Sequence, residues 1–456
     1  MIKYDVIVIG GSAAGIPAGV TVRRHYPEKS VLLVRKEKQV QIPCGIPYIY
    51  GTVMSPQKNL IPDGVLTKNE IDLLIDEVTD IDRKKKEVYT KSGKTLFYDR
   101  LIIATGSEPS SIPIPGLDKE NVFMVKKDVP YLEQMLEVMD GVKDLVIIGG
   151  GFIGVEFADE CNKNRDINIS IIEMLPHCLI LGYDEFFCEK AEEILEEKGI
   201  KIYRKNRVNA ILGNDKVSGI KLADGSELKA DAVIVAVGAR PNVEIAKKAG
   251  LDIGPTRAIK VDRFMRTSDS NIFTCGDCAE STSFFTGEPI PLMLASVATM
   301  EARVAGANLF GLKRENPGEI GVFATKVGDV ALGSAGLTER KAKDIGYQVV
   351  TGEATTINRH PGGMPGMTNI FLKLVFNGKT GIILGAQVQG ESSVGEIINA
   401  LSACIQHRMT ADDIAIFQCG THPALTASPV AYQLTNAAES AIQKMIRERT
   451  RDRVPV

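Results

Sequence analysis

The first part of the chain places apolar and glycine-rich segments in a fixed order. The β-branched run from Val6 to Ile9 has the pattern of a buried strand and ends at Gly10-Gly11-Ser12-Ala13-Ala14-Gly15. A helical pattern continues through Val22, and a second apolar run covers Val31 to Val34. This order of strand, glycine turn, helix and strand predicts one βαβ unit.

The same order returns later in the chain. An apolar run from Leu145 to Ile148 leads into Gly149-Gly150-Gly151-Phe152-Ile153-Gly154, then a helical pattern, then Ile169 to Ile172. Each unit also has a later strand that ends in a glycine turn, at Ala104-Thr105-Gly106 and at Val237-Gly238. Prolines follow both turns, and we interpret them as crossings between domains.

This pattern stops near residue 325. Strand-like runs at 371–375 and 382–384 then alternate with helical stretches at 394–404 and 430–447, and the charged tail 447–453 is predicted to be frayed or solvated. A chain of 456 residues is expected to hold about three domains at roughly 150 residues each. The predicted fold class is α/β: two Rossmann-like dinucleotide-binding domains followed by a C-terminal α+β domain.

Composition narrows the function classes. The chain is 44% hydrophobic and 24% charged, with a net charge of −3. The charge gives no reason to expect nucleic acid or an anionic membrane as a partner, and no apolar run approaches the roughly 18 residues of a membrane span. Eight scattered cysteines do not suggest a disulfide scaffold, and no secretory signal is visible, so we expect a reducing cytoplasm.

The second glycine turn fills all three positions of G-x-G-x-x-G. Gly149 suits a tight turn, Gly151 allows the backbone to approach a pyrophosphate, and Gly154 allows close packing of helix on strand. Glu173 closes the next strand, where an acid can bind ribose hydroxyls. Because Met174-Leu175-Pro176 follows and nothing basic does, we favour NADH over NADPH and leave NADPH open.

The first glycine turn is less regular. Ser12 replaces the middle glycine, and the acid expected at the end of the second strand is missing. Arg35 stands there instead, with Glu37 two residues later. Taken alone, Arg35 suggests a 2′-phosphate, which FAD lacks, so this position conflicts with an FAD site.

The segment from Cys275 to Cys278 also contains residue types that suggest a chemical role. Gly276-Asp277 ends a strand and places a carboxylate where it can accept hydrogen bonds from flavin ribityl hydroxyls. Cys275 and Cys278 flank it with metal or dithiol spacing, but a structural zinc site needs four ligands. We therefore expect ordinary buried cysteines there and no metal.

Cys44 follows the first βαβ unit in the segment Pro43-Cys44-Gly45. At a helix start, the helix dipole would lower its pKa and make the thiolate a nucleophile. A buried structural cysteine explains the residue equally well on these grounds, so both interpretations stay open.

Together these residues resemble the FAD-dependent pyridine nucleotide-disulfide oxidoreductases, and more narrowly their single-cysteine branch of coenzyme A disulfide reductases, NADH oxidases, NADH peroxidases and sulfur or persulfide reductases. The resemblance covers nearly the whole chain. It rests on Gly10 to Gly15, Cys44 to Tyr48, Ala104 to Gly106, Gly149 to Glu156, Gly276-Asp277 and Ile383 to Gln387. It implies a discontinuous FAD domain (1–115 and 246–322), an NAD(P)H domain (116–245) and a C-terminal dimerisation domain (323–456).

The resemblance also implies roles for individual residues. Cys44 matches the redox cysteine beside the flavin, while Ile49 stands where the paired-cysteine branch has its second cysteine. Arg24 matches a residue that anchors coenzyme A phosphates, although a solvated helix face is the simpler explanation for it. The predicted cofactor-binding residues are Gly10, Gly11, Ser12, Ala13, Ala14, Gly15, Glu37, Val78, Ala104, Thr105, Gly106, Gly149, Gly151, Phe152, Ile153, Gly154, Glu156, Glu173, Gly238, Gly276, Asp277 and Ala295.

Departures from the family pattern limit the substrate. The peroxidase branch has a histidine where this chain has Ala13, so the general acid for peroxide reduction is missing. His422-Pro423 is similar to the dimer-crossing pair of the paired-cysteine branch, although Ala427 replaces the glutamate that orients it there. His422 acting as an acid in the partner's site, and Cys419 as a second thiol, remain alternatives to simple packing.

Three functions are therefore open. The favoured one is a homodimeric reductase in which NADH reduces FAD and the electrons reach a disulfide, persulfide or polysulfide through Cys44, with coenzyme A compounds as candidate substrates. The alternatives are an NADH oxidase, with Cys44 cycling through a sulfenic acid, and a flavin redox sensor without turnover.

Overall fold

The computed structural model describes residues 2–451, which fall into two compact units. One unit comprises Met1–Ile148, Glu160–Ile167 and Val208–Glu319, and the other Gly149–Asp159, Asn168–Arg207 and Ile320–Val456. The division falls within helix Phe152–Cys161. The three-domain boundaries expected from the sequence remain a prediction.

A seven-stranded sheet is the centre of the first unit. The side chains of its central strands, at residues 6–9, 31–35 and 101–103, are buried on both faces, as expected for parallel strands covered by helices. The strands lie in the order Asp72–Ile75, Val31–Arg35, Ile2–Ile9, Thr95–Ile103, Glu87–Thr90 and Val78–Asp82, and Ile272–Thr274 also pairs with Thr95–Ile103. The two strands 78–82 and 87–90 are antiparallel additions at one edge.

Smaller sheets complete this unit. Strands Val122–Met124, Ala232–Val235 and Asp144–Ile148 are parallel, as are those of the first βαβ unit. The other ladders are antiparallel: Val208–Leu212 with Gly219–Leu222 and Glu227–Lys229, Val40–Gln41 with Leu60–Ile61, Ser107–Pro109 with Ala239–Pro241, and Ser281–Thr282 with Pro289–Ile290. The pairing of 107–109 with 239–241 brings the two proline-rich crossings side by side.

Helices flank these sheets. The α-helices of the first unit are Gly15–His25, Gly64–Lys68, Val129–Met139, Glu244–Lys248 and Ala295–Asn308, with one-turn 3-10 helices at Pro43–Gly45, Pro47–Tyr50 and Pro56–Lys58. Helices 15–25 and 295–308 cross closely, since a Cβ on Gly306 would lie 2.7 Å from the carbonyl oxygen of Ala18.

The second unit contains the rest of the second βαβ unit and the C-terminal domain. Asn168–Ile172 pairs in parallel with Lys201–Tyr203. A five-stranded antiparallel sheet follows in the order Val322–Val327, Val330–Gly336, Ile383–Gly390, Asn369–Asn377 and Val349–Ile357. The helices are Glu185–Glu197, Glu339–Asp344, Val394–Gln406, Ala411–Ala415, Pro429–Ala431 (3-10) and Gln433–Arg451.

The predicted elements exist, and the differences lie at their ends. The first helix runs on to His25 instead of ending near Val22. The tail was expected to be frayed or solvated: helix Gln433–Arg451 continues through it, so it is not frayed as far as Arg451, while residues 447–450 are exposed as the second alternative requires. Residues 452–456 lie outside the described part. Within residues 2–451, no helix is both long and apolar enough to cross a membrane.

Candidate functional site

The first glycine turn is held by contacts that tolerate no side chain. Gly10 has φ +108°, and its N–H donates to the carbonyl oxygen of Val34 at 2.8 Å. A Cβ on Gly10 would lie 2.0 Å from the carbonyl oxygen of Ala104, and one on Gly15 would lie 1.9 Å from that of Gly10. The turn therefore passes directly against the turn that begins at Ala104.

The same turn presents donors suited to an anion. Within residues 2–451, the backbone N–H groups of Ser12, Ala13 and Ala14 donate to no protein acceptor. They lie at the start of helix Gly15–His25, where the helix dipole adds positive potential. This donor set fits the pyrophosphate of a dinucleotide.

Two later segments meet this turn. Gly276 has φ +78°, and a Cβ there would lie 2.7 Å from the Cβ of Ala14. The hydroxyl of Ser107 donates to Oδ2 of Asp277 at 2.7 Å. Thr299, one turn into the helix that begins at Ala295, donates to the carbonyl oxygen of Ala13 at 3.1 Å. The donors of the first turn and the carboxylate of Asp277 together fit FAD.

Arg35 has a structural explanation. Its side chain is 1% exposed and forms a two-point ion pair with Asp63, at 2.7 and 2.8 Å. It also donates to the carbonyl oxygens of Glu37 and Lys38. The guanidinium is therefore used within the protein, and the conflict between Arg35 and an FAD site disappears.

Several other predicted residues have structural contacts of their own. Thr105 donates to the carbonyl oxygen of Asn242 at 2.7 Å, and Gly238 accepts from the N–H of Ser110 at 3.0 Å. Val78 pairs with Thr90 at the edge of the large sheet. The first two contacts lie at the crossings between the domains, and the cofactor roles of the three residues remain predictions.

Cys44 is exposed, and it is alone in this among the eight cysteines, all of which the structure describes. It is the middle residue of the 3-10 helix Pro43–Gly45. One turn of 3-10 helix carries little dipole, so the expected effect of a helix start on this thiol is not available. The buried alternative for Cys44 is excluded by its exposure.

A buried amide shapes the loop around Cys44. Asn59 is 6% exposed, and its Nδ2 donates to the carbonyl oxygen of Ile42 at 2.9 Å and to Oε1 of Gln41 at 2.8 Å. A Cβ on Gly45 would lie 2.0 Å from Oδ1 of Asn59. Asn59 thus hydrogen-bonds the residues before the cysteine and packs closely against Gly45 after it, a role that its sequence position did not reveal.

The remaining cysteines are less accessible than Cys44. Cys161, Cys178, Cys188, Cys275, Cys278 and Cys404 are buried, and Cys419 is half-buried. Burial raises the pKa of Cys161 to about 12 and raises the pKa of Cys275 and of Cys278 as well. The pair Cys275 and Cys278 is therefore a pair of ordinary buried cysteines, as expected.

The second glycine turn has an acid where the first has Arg35. Glu173 is 7% exposed, and its two oxygens accept the N–H groups of Gly150 and Leu175, each at 2.7 Å. A Cβ on Gly151 would meet nothing within 4 Å. The open space at Gly151 and the carboxylate at the strand end fit the pyrophosphate and ribose of NAD(H).

Aromatic packing fixes the start of the helix after this turn. The ring of Phe152 stacks on Phe323, with centroids 5.2 Å apart and planes 13° apart, and lies 5.8 Å from Tyr183. Gly182 leaves room for it, since a Cβ there would lie 3.0 Å from the ring. One turn later, Oε1 of Glu156 accepts from the hydroxyl of Thr325 at 2.9 Å.

His422 lies in an exposed turn of the C-terminal domain. Its Nδ1 accepts the N–H of Ala424 at 3.2 Å, so in the neutral ring the proton is on Nε2. His360 holds this turn by donating its N–H to the carbonyl oxygen of Pro423, and by a 3.0 Å hydrogen bond from Nδ1 to that of Thr426. The backbone thus orients His422 in place of the missing glutamate.

Arg24 differs from its neighbour Arg23. Arg23 is held by the carbonyl oxygens of Pro27, Lys29 and Asn69 and by Glu70. Arg24 is exposed and has no protein partner among the described residues. It is therefore available to a ligand, although a solvated arginine would look the same.

Comparison with known proteins gives the family. A family model described as pyridine nucleotide-disulphide oxidoreductase matches residues 4–302, and the dimerisation domain of the same family matches residues 322–432. The chain belongs to this family. It is an oxidoreductase of the FAD- and NAD(P)H-dependent type, which confirms the predicted fold class, enzyme class and cofactors.

Relatives and solved structures agree with this assignment. The chain is 33% identical to an NADH oxidase of Methanocaldococcus jannaschii, covering 96% of this chain and 99% of that protein. It is 33% identical to the NAD(P)H coenzyme A polysulfide/persulfide reductase of Pyrococcus horikoshii, covering 90% and 93%. A NAD-dependent persulfide reductase from A. fulgidus superposes with TM-score 0.90 at 34% identity, covering 98% of this chain and 84% of that one.

The residues that sequence reasoning missed have partners far away in the chain. Asn59, Phe323 and Thr325 carry no motif and become visible only through their contacts. Glu301 was also missed, although it offers a signal: it is a charged residue in the apolar helix row Ala298, Ala302 and Ala305, and it is 0% exposed. A charge in such a row requires a buried partner.

Proposed function

We propose that this enzyme reduces a disulfide, persulfide or polysulfide through Cys44, with coenzyme A compounds as the substrate class. The observation that carries the proposal is the exposed Cys44 thiol in a loop fixed by the buried Asn59. The relatives named as persulfide reductases support the same chemistry.

The chemistry divides between the cofactors and the chain. Bound FAD would supply the electron pair, taken as a hydride from NAD(P)H. The thiolate of Cys44 attacks one sulfur of the substrate, which breaks the S–S bond of the substrate and forms a new S–S bond to Cys44, and the other half leaves after taking a proton. Two electrons and a second proton would then cleave the new S–S bond, releasing the bound half as a thiol or hydrogen sulfide and restoring the Cys44 thiolate.

We propose His422 of the partner subunit as the proton donor for the leaving thiol. The dimerisation domain supports a dimer, and exposed apolar side chains surround the turn of His422: Ile416, Phe417, Leu425 and Val430. Its Nε2 carries the proton, since Nδ1 accepts the N–H of Ala424. We further propose that Arg24 contacts the phosphates of coenzyme A.

The decisive experiment compares acceptors without air. NADH oxidation is followed with coenzyme A disulfide, with coenzyme A persulfide or polysulfide, and with O₂, for wild type, Cys44→Ser and the control Cys419→Ser. We expect rapid sulfur turnover that Cys44→Ser abolishes and Cys419→Ser retains. If NADH oxidation is fast with O₂ and absent with the sulfur acceptors, the result would instead favour an oxidase, the function named for the M. jannaschii relative.

Mixed dimers test the role of His422. A dimer of one Cys44→Ser subunit and one His422→Asn subunit has one intact site if His422 acts across the dimer, and none if it acts within its own subunit. We expect up to half of the wild-type sulfur activity in the mixed dimer. Activity no higher than that of the two parent variants would contradict the crossing.

A further inference from the structure

Two buried carboxyl groups lie behind the turn Gly276–Asp277. Glu301, on helix Ala295–Asn308, is 0% exposed, and Glu319 is 3% exposed. Their contacts lie on neighbouring residues, since Glu301 meets the hydroxyl of Ser281 and Glu319 accepts the N–H of Thr282. Within residues 2–451 neither carboxyl forms an ion pair with a cation, and two buried carboxylates without a cation are too costly to ionise together, so this pair holds a proton.

The surrounding donors decide which group carries the proton. Oε2 of Glu319 accepts the N–H of Thr282 at 2.6 Å, and its Oε1 accepts from Nδ2 of Asn316 at 2.7 Å. Glu301 accepts the N–H of Gly276 at 2.7 Å on Oε2, while the hydroxyl of Ser281 is 3.4 Å from Oε1. Two strong N–H donors stabilise Glu319 as the anion, so Glu301 is the protonated member.

Burial and the charges around Glu301 also favour its protonated form. Burial first, and then the negative charges of Glu319 and Asp277, raise the pKa of Glu301 well above its ordinary value. Burial also raises the pKa of Glu319. The thiol of Cys275, the other titratable group here, is neutral because burial raises its pKa too. Ionising Glu301 would therefore place two adjacent negative charges where water is scarce.

This pair is linked by a hydrogen bond and by packing to the residues of the first unit that fit FAD. Glu301 accepts the N–H of Gly276, Ala14 of the first glycine turn packs against Gly276, and Ser107 donates to Asp277. We propose that Glu301 is a positioning residue of the FAD site: one proton shared with Glu319 keeps the Gly276–Asp277 turn where Asp277 meets the cofactor. The proposal rests on the family's FAD and not on the sulfur substrate.

Two isosteric substitutions separate this role from simple packing. In Glu301→Gln the amide oxygen still accepts from Gly276 and the NH₂ carries no charge, so the variant imitates the protonated acid at every pH. In Glu319→Gln an NH₂ faces the N–H of Thr282 or the amide of Asn316, so two donors oppose each other. The same chemical change therefore has different expected effects at the two positions.

The measurements use apoprotein and FAD, with no electron acceptor. FAD affinity and denaturant unfolding are followed from about pH 5 to 9, and the infrared band of a protonated carboxylic acid is recorded at neutral pH. Because the folded pKa of Glu301 is raised, wild-type stability should fall as pH rises from the unfolded value of about 4.3 through the folded pKa. FAD affinity should fall as pH rises through the folded pKa, where the pair loses its proton. Glu301→Gln should lose the infrared band, flatten this fall and keep near-wild-type affinity at neutral pH.

Glu319→Gln should weaken FAD binding roughly tenfold or more at every pH. Absence of the infrared band in wild type, or the same pH slope in wild type and Glu301→Gln, would overturn the shared proton. Equal loss of FAD in the two variants would overturn its assignment to Glu301. If Glu319→Gln does not fold, the infrared band and the pH dependence of the stability of Glu301→Gln still decide whether the pair holds a proton. None of these results depends on the acceptor, so they are independent of the Cys44 experiment.

Discussion

The two glycine turns have the same backbone conformation, but the residues at the ends of the strands that follow them carry opposite charges. Gly10 and Gly149 have φ of +108° and +106°, and their N–H groups donate to the strand-end carbonyl oxygens of Val34 and Ile172 at 2.8 and 2.9 Å. After these strands, one turn has Arg35 paired with Asp63, and the other has Glu173 bound to Gly150.

This difference shows that the glycine spacing sets the backbone conformation of the turn. The residue at the strand end sets which charged groups lie beside the turn. After the second turn the acid Glu173 joins the turn by accepting the N–H of Gly150. After the first turn, the buried Arg35 paired with the exposed Asp63 stands in its place, and the donors at the helix start and Asp277 are the groups that fit the cofactor. Four predictions separate these contributions, from the largest expected effect to the smallest.

Gly10→Ala should have the largest effect. Its Cβ would lie 2.0 Å from the carbonyl oxygen of Ala104, at a φ that side chains rarely adopt. We expect a loss of more than about 3 kcal/mol in the free energy of unfolding and a protein without FAD. The matched control is Gly151→Ala, where nothing lies within 4 Å. It should keep FAD and stability and raise the KM for NADH. Full FAD content in Gly10→Ala would break the comparison.

Arg35→Met should come next. The change removes the buried Arg35 guanidinium, which forms a two-point ion pair with the exposed Asp63 and donates to two carbonyl oxygens. We expect a loss of about 2–3 kcal/mol in the free energy of unfolding, measured in urea, and an unchanged preference between NADH and NADPH. Arg24→Met, on the exposed face, should leave stability unchanged. A shift in nucleotide preference on Arg35→Met would contradict its structural role.

Glu173→Gln should act on the second turn alone. Both oxygens of Glu173 accept N–H groups, so an amide turns one acceptor into a donor that faces a donor. We expect the KM for NADH to rise roughly tenfold, corresponding to about 1.4 kcal/mol, with FAD content unchanged. Steady-state kinetics with NADH and NADPH provide the measurement. An unchanged KM would show that Glu173 only shapes the turn.

The smallest effect is a pair of opposite pH dependences. Burial lowers the pKa of His177, but hydrogen bonds and charges of Glu192 and Glu185 outweigh it and raise the pKa overall. Burial, then the charges of Arg314 and Lys313, lowers the pKa of His25. The stability due to His177 is full below about pH 6.5 and is lost as pH rises through its folded pKa; that due to His25 is lost as pH falls below about 6.5.

Denaturant unfolding of His177→Gln and His25→Gln, between about pH 5 and 8, checks these signs. The stability of His177→Gln should lack the part of the loss that occurs as pH rises. The stability of His25→Gln should lack the part that occurs as pH falls. Parallel curves for wild type and both variants would show that neither histidine couples to folding.

Much of the molecule was predictable because its signals are local. Both βαβ units, the glycine turns, the change to an α+β domain and the cysteine at position 44 follow from residues a few positions apart. Element ends were harder, as with helix Gln433–Arg451, whose start and continuation into the charged tail depend on packing. Arg35 suggested the wrong ligand because its partner, Asp63, follows 28 residues later.

The sequence by itself determined the backbone chemistry: where only glycine fits, where strands alternate with helices, and which cysteine lies beside the first unit. Tertiary structure alone decided the exposure and the partners of the polar and reactive side chains. Whether Arg35 faces a ligand or Asp63, whether Cys44 is exposed, and whether Glu301 holds a proton all depend on atoms that are distant in sequence. Burial and hydrogen bonding set the charge of such groups, and both come from residues that meet only in the folded chain.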